Sequence, residues 1–302
     1  MAGLASLFFS SVAYGQQQAM FTQYMFNGLA INPAYAGSQE ALSLTALARK
    51  QWIGLQGAPN TQTFSVHSPI KKQKIALGAT FFNDEIGVTQ QTGINACYAY
   101  RIFMPHSTLS FGLQAGFTSY RSDLTRVRVQ DPNDPNFGTD DVNKFMPNFG
   151  TGIYYFTDRF YVGFSIPMLM NNYYNRQVGN DGSNALQVRH YFLSGGYVMD
   201  LSRSLKLKPN VMVKAVNGAP LAIDLNANLL IKEVLWVGAS YRTFSSVNAL
   251  LELQLTDQFR LGYSYDFATT NRQNGLNYGS HELMLNYRFA FLKTKTVTPR
   301  YF

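Results

Sequence analysis

The residues best equipped for chemistry are four aspartates crowded into one stretch, Asp131, Asp134, Asp140 and Asp141, with Asn133 and Asn136 among them. Carboxylate and amide oxygens gathered this way are the ligands calcium takes. The spacing is not that of an EF-hand loop, and Pro132 and Pro135 fit a solvated, turn-rich loop, which is the plainer reading. The four histidines, His67, His106, His190 and His281, are scattered, with no pair at helical ligand spacing, so a zinc site is not expected. Serine, histidine and aspartate are all present, but no nucleophile-elbow pattern accompanies them, and no catalysis is expected. Gly150-Thr151-Gly152 sits inside a strand pattern, where glycine makes room on a crowded inner face rather than cradling a phosphate. Cys97 is the only cysteine, which excludes an intrachain disulfide and a thiolate metal site; it reads as a small packed apolar residue. No cofactor is implied.

The elements that must position these residues are strands. In Phe259–Phe267, the residues Phe259, Leu261, Tyr263, Tyr265 and Phe267 share one face, and Arg260, Gly262, Ser264 and Asp266 the other. Leu283, Leu285, Tyr287 and Phe289 alternate in the same way with Glu282, Met284, Asn286 and Arg288. A period of two places residues on the two faces of a strand, whereas a helix would scatter them around its axis. Fourteen such segments are predicted, at 41–50, 61–69, 74–83, 92–103, 107–121, 147–156, 159–167, 187–199, 205–216, 221–231, 234–242, 246–255, 259–267 and 280–291. Most have the length of a tilted strand crossing a bilayer.

Their connections are sorted. Turns such as Pro105-His106, Thr157-Asp158 and Lys232-Glu233 alternate with long connections at 122–146, 168–186 and 268–279. Outer-membrane barrels combine short periplasmic turns with longer outer loops. Composition agrees: charged residues are 14% and aromatics 15% of the 302 residues, with a mean hydropathy of −0.12. Greasy and polar residues are therefore interleaved rather than segregated. The predicted fold class is an all-β transmembrane antiparallel barrel of about fourteen strands spanning 41–291, with a soluble sandwich as the alternative. The net charge of +8 is spread along the chain without a basic arm, so nucleic acid is not an expected partner; lipid headgroups or an acidic partner are.

Residues 1–15 read as a signal peptide ending at Ala13-Tyr14-Gly15, although they lack the usual basic opening. Beyond them no stretch approaches the ~18 apolar residues of a spanning helix. Residues 16–40 show no strand pattern and are read as a periplasmic segment. Its Phe21, Tyr24, Met25, Phe26, Asn32, Pro33 and Tyr35 are candidate partner-binding residues. Docking on a partner, plugging the bore and packing against the barrel wall all stay open as its role. Residues 292–302 form a basic tail.

Motifs in order along the chain carry a resemblance. They include Gln23-Tyr24-Met25-Phe26-Asn27, Asn32-Pro33-Ala34-Tyr35-Ala36-Gly37, Gln51-Trp52-Ile53-Gly54, Pro147-Asn148-Phe149-Gly150, Gly238-Ala239-Ser240-Tyr241-Arg242 and Gly262-Tyr263-Ser264-Tyr265-Asp266. As an ordered set they resemble the PorP/SprF family of Bacteroidetes. The resemblance implies an outer-membrane barrel of the type IX secretion system. It also implies secretion components on the periplasmic side as partners, and a tie to cargo bearing a C-terminal sorting domain or to gliding adhesins. A passive porin or small-solute transporter is the competing function.

The predicted lumen-facing charges are Arg49, Asp224, Arg242, Glu252, Arg260, Asp266, Glu282 and Arg288. Their mixed signs favour ion pairs across neighbouring strands over a selective pore lining. Arg260, Asp266, Glu282 and Arg288, from consecutive segments, are the expected ladder.

Overall fold

The computed structural model describes residues 20–70, 73–123, 142–173, 186–243, 245–269 and 279–289. The first half of its wall is β1 (Leu42–Lys50), β2 (Asn60–Ile70), β3 (Ile75–Ile86), β4 (Thr89–Met104), β5 (Ser107–Ser122), β6 (Val142–Phe156) and β7 (Phe160–Ile166). The second half is β8 (His190–Tyr197, continued by Met199–Ser202), β9 (Leu205–Val216), β10 (Ala222–Ile231), β11 (Leu235–Arg242), β12 (Ser246–Gln254), β13 (Phe259–Ala268) and β14 (Ser280–Phe289). Each strand pairs antiparallel with its sequence neighbour, and β14 returns to β1, with Arg49 opposite Glu282. The result is a closed fourteen-strand antiparallel barrel.

Alternation explains both faces. On β5, Leu109, Phe111, Leu113, Ala115 and Phe117 point outward, and Leu113 is 62% exposed. So much large apolar surface is compatible with lipid and not with water. The opposite face of β5 is buried, as at Ser110, Gln114 and Thr118.

The prolines fall where a ladder can spare an N–H. Pro147 lies in the part of β6 that β7 does not reach, because β7 starts its pairing with Ile166 opposite Thr151. The break in β8 at Val198 lies beside Pro209 of β9. Pairing resumes in unchanged register, from Gly196 opposite Asn210 to Met199 opposite Leu207.

Several boundaries differ from the sequence pattern. The β3–β4 hairpin runs on to Ile86 and Thr89 around Gly87, at φ 60°, so the connection expected between 83 and 92 is a tight turn. Polar Asn83, Asp84 and Glu85 look like loop residues in sequence but remain paired with Thr92, Gln91 and Gln90. β6 begins at Val142 rather than 147. Gln187 belongs to a small ladder with Asn172, and the chain joins the wall only at His190.

The β10–β11 turn places Lys232 at φ 51° and Glu233 at φ 59°, closed by the Val234 N–H donating to the Ile231 carbonyl at 3.1 Å. This left-handed pair suits the hairpin twist but favours glycine or asparagine. Lys232→Gly is expected to hold or raise stability by up to about 1 kcal/mol, whereas Lys232→Val should lower it by a similar amount. Urea midpoints of the two variants in detergent would check this; equal tolerance of both would contradict it.

Candidate functional site, a lumenal plug and its charged seat

Residues 20–40 lie inside the barrel rather than hanging below it. Three short 3-10 turns, Tyr24–Phe26, Gly28–Ala30 and Pro33–Tyr35, fold the segment compactly. The chain starts in the half of the lumen nearer the long connections, beside Arg49, Asp266 and Glu282, and ends beside Arg101 near the short turns before entering β1. Phe21, Tyr24, Met25, Phe26, Asn32, Pro33 and Tyr35 are all buried. In this conformation they meet the barrel wall, which matches the plugging and wall-packing roles among the three left open for this segment.

The plug's first attachment is electrostatic. Thr22 and Gln23 donate their backbone N–H groups to the two carboxylate oxygens of Glu282, at 2.9 and 2.8 Å. The Thr22 hydroxyl donates to Asp266 at 2.8 Å. Arg49 joins both carboxylates, at 2.5 Å to Asp266 and 3.1 Å to Glu282, and also donates to the Thr22 hydroxyl at 3.2 Å. One guanidinium facing two carboxylates leaves an excess negative charge in a buried place, where desolvation is costly. The plug's N–H and O–H donors are what satisfy it. Beside this cluster, Arg242 pairs with Asp224 at 2.9 Å and donates to the Phe21 carbonyl at 3.2 Å.

The middle of the plug is held by packing and single hydrogen bonds. The Phe26 ring meets Trp236 edge-on at 5.9 Å, and the Lys208 ammonium lies 5.2 Å from the Phe26 ring centre. A cation over an aromatic face in a dry setting is attractive. The Ser65 hydroxyl donates to Asn27, the Ser165 hydroxyl to the Ile31 carbonyl, and the Asn32 amide to the Ile153 carbonyl. Glycine lets the wall come this close. A Cβ on Gly112 would lie 2.1 Å from the Ala34 nitrogen, and one on Gly152 2.1 Å from Asn32 Oδ1. Gly152 of Gly150-Thr151-Gly152 thus makes room for the Asn32 side chain, and Gly150 for Pro167 and Gln114.

At the short-turn end, Tyr35 packs edge-on against His67 and Tyr154. The Gly37 N–H donates to His67 Nδ1 at 3.1 Å, and Glu40 pairs with Arg101 at 3.6 Å.

The expected ladder of Arg260, Asp266, Glu282 and Arg288 does not form. Arg260 and Asp266 stand at opposite ends of β13, so Asp266 joins Glu282 and Arg49 while Arg260 meets Glu252 at 3.5 Å. Arg288 is half-buried near the short turns. Asp131, Asp134, Asp140 and Asp141 lie outside the described residues. Among the described residues no cluster of three or more metal-ligating side chains occurs.

Alternation alone missed the apolar seat. Leu47, Phe192, Met212, Leu230, Trp236, Leu250 and Met284 occupy inward positions and pack with Phe21, Tyr24, Met25 and Phe26. The available signal was large apolar residues on both faces of the same strands.

The segment after β7 also turns inward. The Pro167 carbonyl accepts from Gln114 at 3.0 Å and Asn148 at 2.8 Å, both inward-facing. Between it and the plug lies a chamber lined by Phe21, Thr61, Asp84, Gln91, Asn95 and Val188, among others.

A closed barrel with an apolar exterior and a polar, plugged interior defines an outer-membrane β-barrel protein. The family model described as type IX secretion system membrane protein PorP/SprF matches residues 13–287, and the chain belongs to that family. No curated protein matches it. Among solved structures, the CymD monoaromatic hydrocarbon channel is 13% identical, covering 90% of this chain and 93% of its own, with a TM-score of 0.52. The outer membrane protein Omp33 of Acinetobacter baumannii is 10% identical over 83% of this chain and all of its own, with a TM-score of 0.48. A Pseudomonas aeruginosa FadL homologue is 13% identical over 92% of this chain and 96% of its own, with a TM-score of 0.47. At these identities CymD supports the fold alone.

Glu282→Ala leaves Arg49 its Asp266 partner but removes the acceptor for two plug N–H groups, each costing about 1–3 kcal/mol when left buried and unsatisfied. Gly152→Leu drives a side chain into Asn32. Both are expected to make the segment 20–40 sensitive to added protease while the wall stays folded, and Glu282→Gln should be milder. Unchanged protection in all three would contradict the seating described.

Proposed function

We propose that the barrel works as a docking and anchoring subunit of the type IX machine rather than as its conduit. The carrying observation is the plug, attached at both ends of the lumen, which takes up space that a folded passenger would need. On this reading the long connections hold exported cargo with a C-terminal sorting domain, or gliding adhesins, at the cell surface. The short-turn end meets periplasmic secretion components, in keeping with short periplasmic turns in such barrels. Family membership supports the association with a secretion system.

The discriminating experiment is capture of the tagged protein from native outer membranes in mild detergent. Recovery of type IX components or of sorting-domain cargo is expected, and recovery of the barrel alone would count against the proposal. Planar-bilayer recording separates the porin alternative. The wild-type protein is expected to be nearly silent, with Glu282→Ala raising conductance. Large, steady wild-type channels would favour a solute transporter.

A further inference from the structure

The chamber between the plug and the chain that follows β7 has the makings of a ligand site. It encloses about 100 Å³ and is lined mainly by apolar groups. Phe21 and Ala30 contribute from the plug, Phe82 from β3, and Pro167, Met168 and Val188 from the chain between β7 and β8. That covering chain is held from several sides. Besides the bonds of the Pro167 carbonyl to Gln114 and Asn148, the Gln187 amide donates to the Met168 sulfur at 3.1 Å, and its oxygen accepts from Asn172 at 3.0 Å. The Arg189 guanidinium donates to the Leu169 carbonyl at 2.8 Å. A largely preformed hollow, apolar with a few placed polar groups, is the kind of site small molecules occupy.

The polar groups stand in rows fixed by the sheet register. Thr61, Asp84 and Gln91 form one inward row, and Thr63, Phe82 and Gly93 the next. A Cβ on Gly93 would lie 2.4 Å from the Phe82 ring, so the glycine is what lets that ring lie against the wall. Asp84 accepts from the Thr61 hydroxyl at 2.5 Å. The Thr63 hydroxyl is shielded from solvent and has no hydrogen-bond partner among the described residues. A buried hydroxyl left unpaired is costly, and rotation by one staggered step about its Cα–Cβ bond would turn it toward the chamber.

We infer that the chamber binds a small, neutral, hydroxyl-bearing molecule of about single-ring size. An apolar cavity of roughly 150 Å³ holds benzene, so the room is of the right order. The ring packs between Phe21, Phe82 and Met168, where aromatic and thioether contacts favour it. Its hydroxyl donates to the Asp84 carboxylate, a charge-assisted bond, and accepts from Thr63 once that side chain has turned. Thr63 and Asp84 are diagonal neighbours across β2 and β3, so one hydroxyl reaches both. The mainly apolar lining favours a neutral head over a charged one. The site does not depend on the docking role proposed above.

The test is a titration of the full-length protein in nanodiscs with 4-fluorophenol and, separately, fluorobenzene, followed by fluorine NMR. Val188→Trp fills the chamber, so its response measures partition into lipid alone; if it does not fold, Met168→Trp takes its place. Saturable binding of 4-fluorophenol to the wild type, absent from the filled variant, is expected. Fluorobenzene with the wild type, and 4-fluorophenol with Thr63→Val or Asp84→Asn, should bind about tenfold more weakly. A wild-type response no larger than that of the filled variant would overturn the site. Equal affinity for the two probes, or indifference to both polar substitutions, would overturn the assignment of the hydroxyl. Heat-modifiable migration shows each variant to be a folded barrel when these readings are taken.

Discussion

Every backbone N–H and C=O at membrane depth has to be paired within the protein, because lipid offers no substitute. The β14–β1 seam meets that demand for the whole sheet. Leu42–Lys50 pairs residue by residue with Ser280–Phe289, and no free edge is left between the first and last strands. Closure in turn divides every strand into a lipid face and a lumen face. It fixes Arg49 opposite Glu282, so the first strand and the last together carry the seat of the plug.

The plug completes a polarity that the wall leaves unbalanced. Glu282 and Asp266 share one arginine, and the remaining hydrogen-bonding capacity of the carboxylates is taken up by Thr22 and Gln23. A carboxylate pair of this kind in an otherwise water-filled barrel would be unremarkable; once dry, it needs donors at particular places. Farther down, aromatic packing between Tyr35, Tyr154 and Tyr161 joins the Glu40–Arg101 pair and the Gly37–His67 hydrogen bond. The attachment is therefore led by charge at one end and shared between aromatic packing and polar contacts at the other.

Much of the wall was legible in the sequence because a period of two survives inspection without any tertiary knowledge. Leu283, Leu285 and Tyr287 against Glu282, Met284 and Asn286 already name the two faces. What lay outside reach depended on register and on the third dimension. Arg260 and Asp266 are six residues apart on one strand, roughly 20 Å at the rise of an extended chain, so they serve different ends of the lumen, and the register sets Arg260 against Asn286 and Asp266 against Ser280. Inward apolar residues such as Trp236 and Met284 blur the alternation, and their reason, the plug, comes from a segment with no periodicity at all. The aromatic content of residues 16–40 marked them as packing against something. It did not say that the surface would be the inside of their own barrel.

The plug is continuous with the wall: Glu40 lies two residues before Leu42, the first residue of β1. A stopper on so short a leash cannot diffuse away, and it can swing only about its junction at the floor of the barrel. Its local concentration at the seat is set by tether length, not by expression level, and lies on the order of millimolar for short flexible links. Reclosure after any displacement is then a unimolecular event that requires no second molecule.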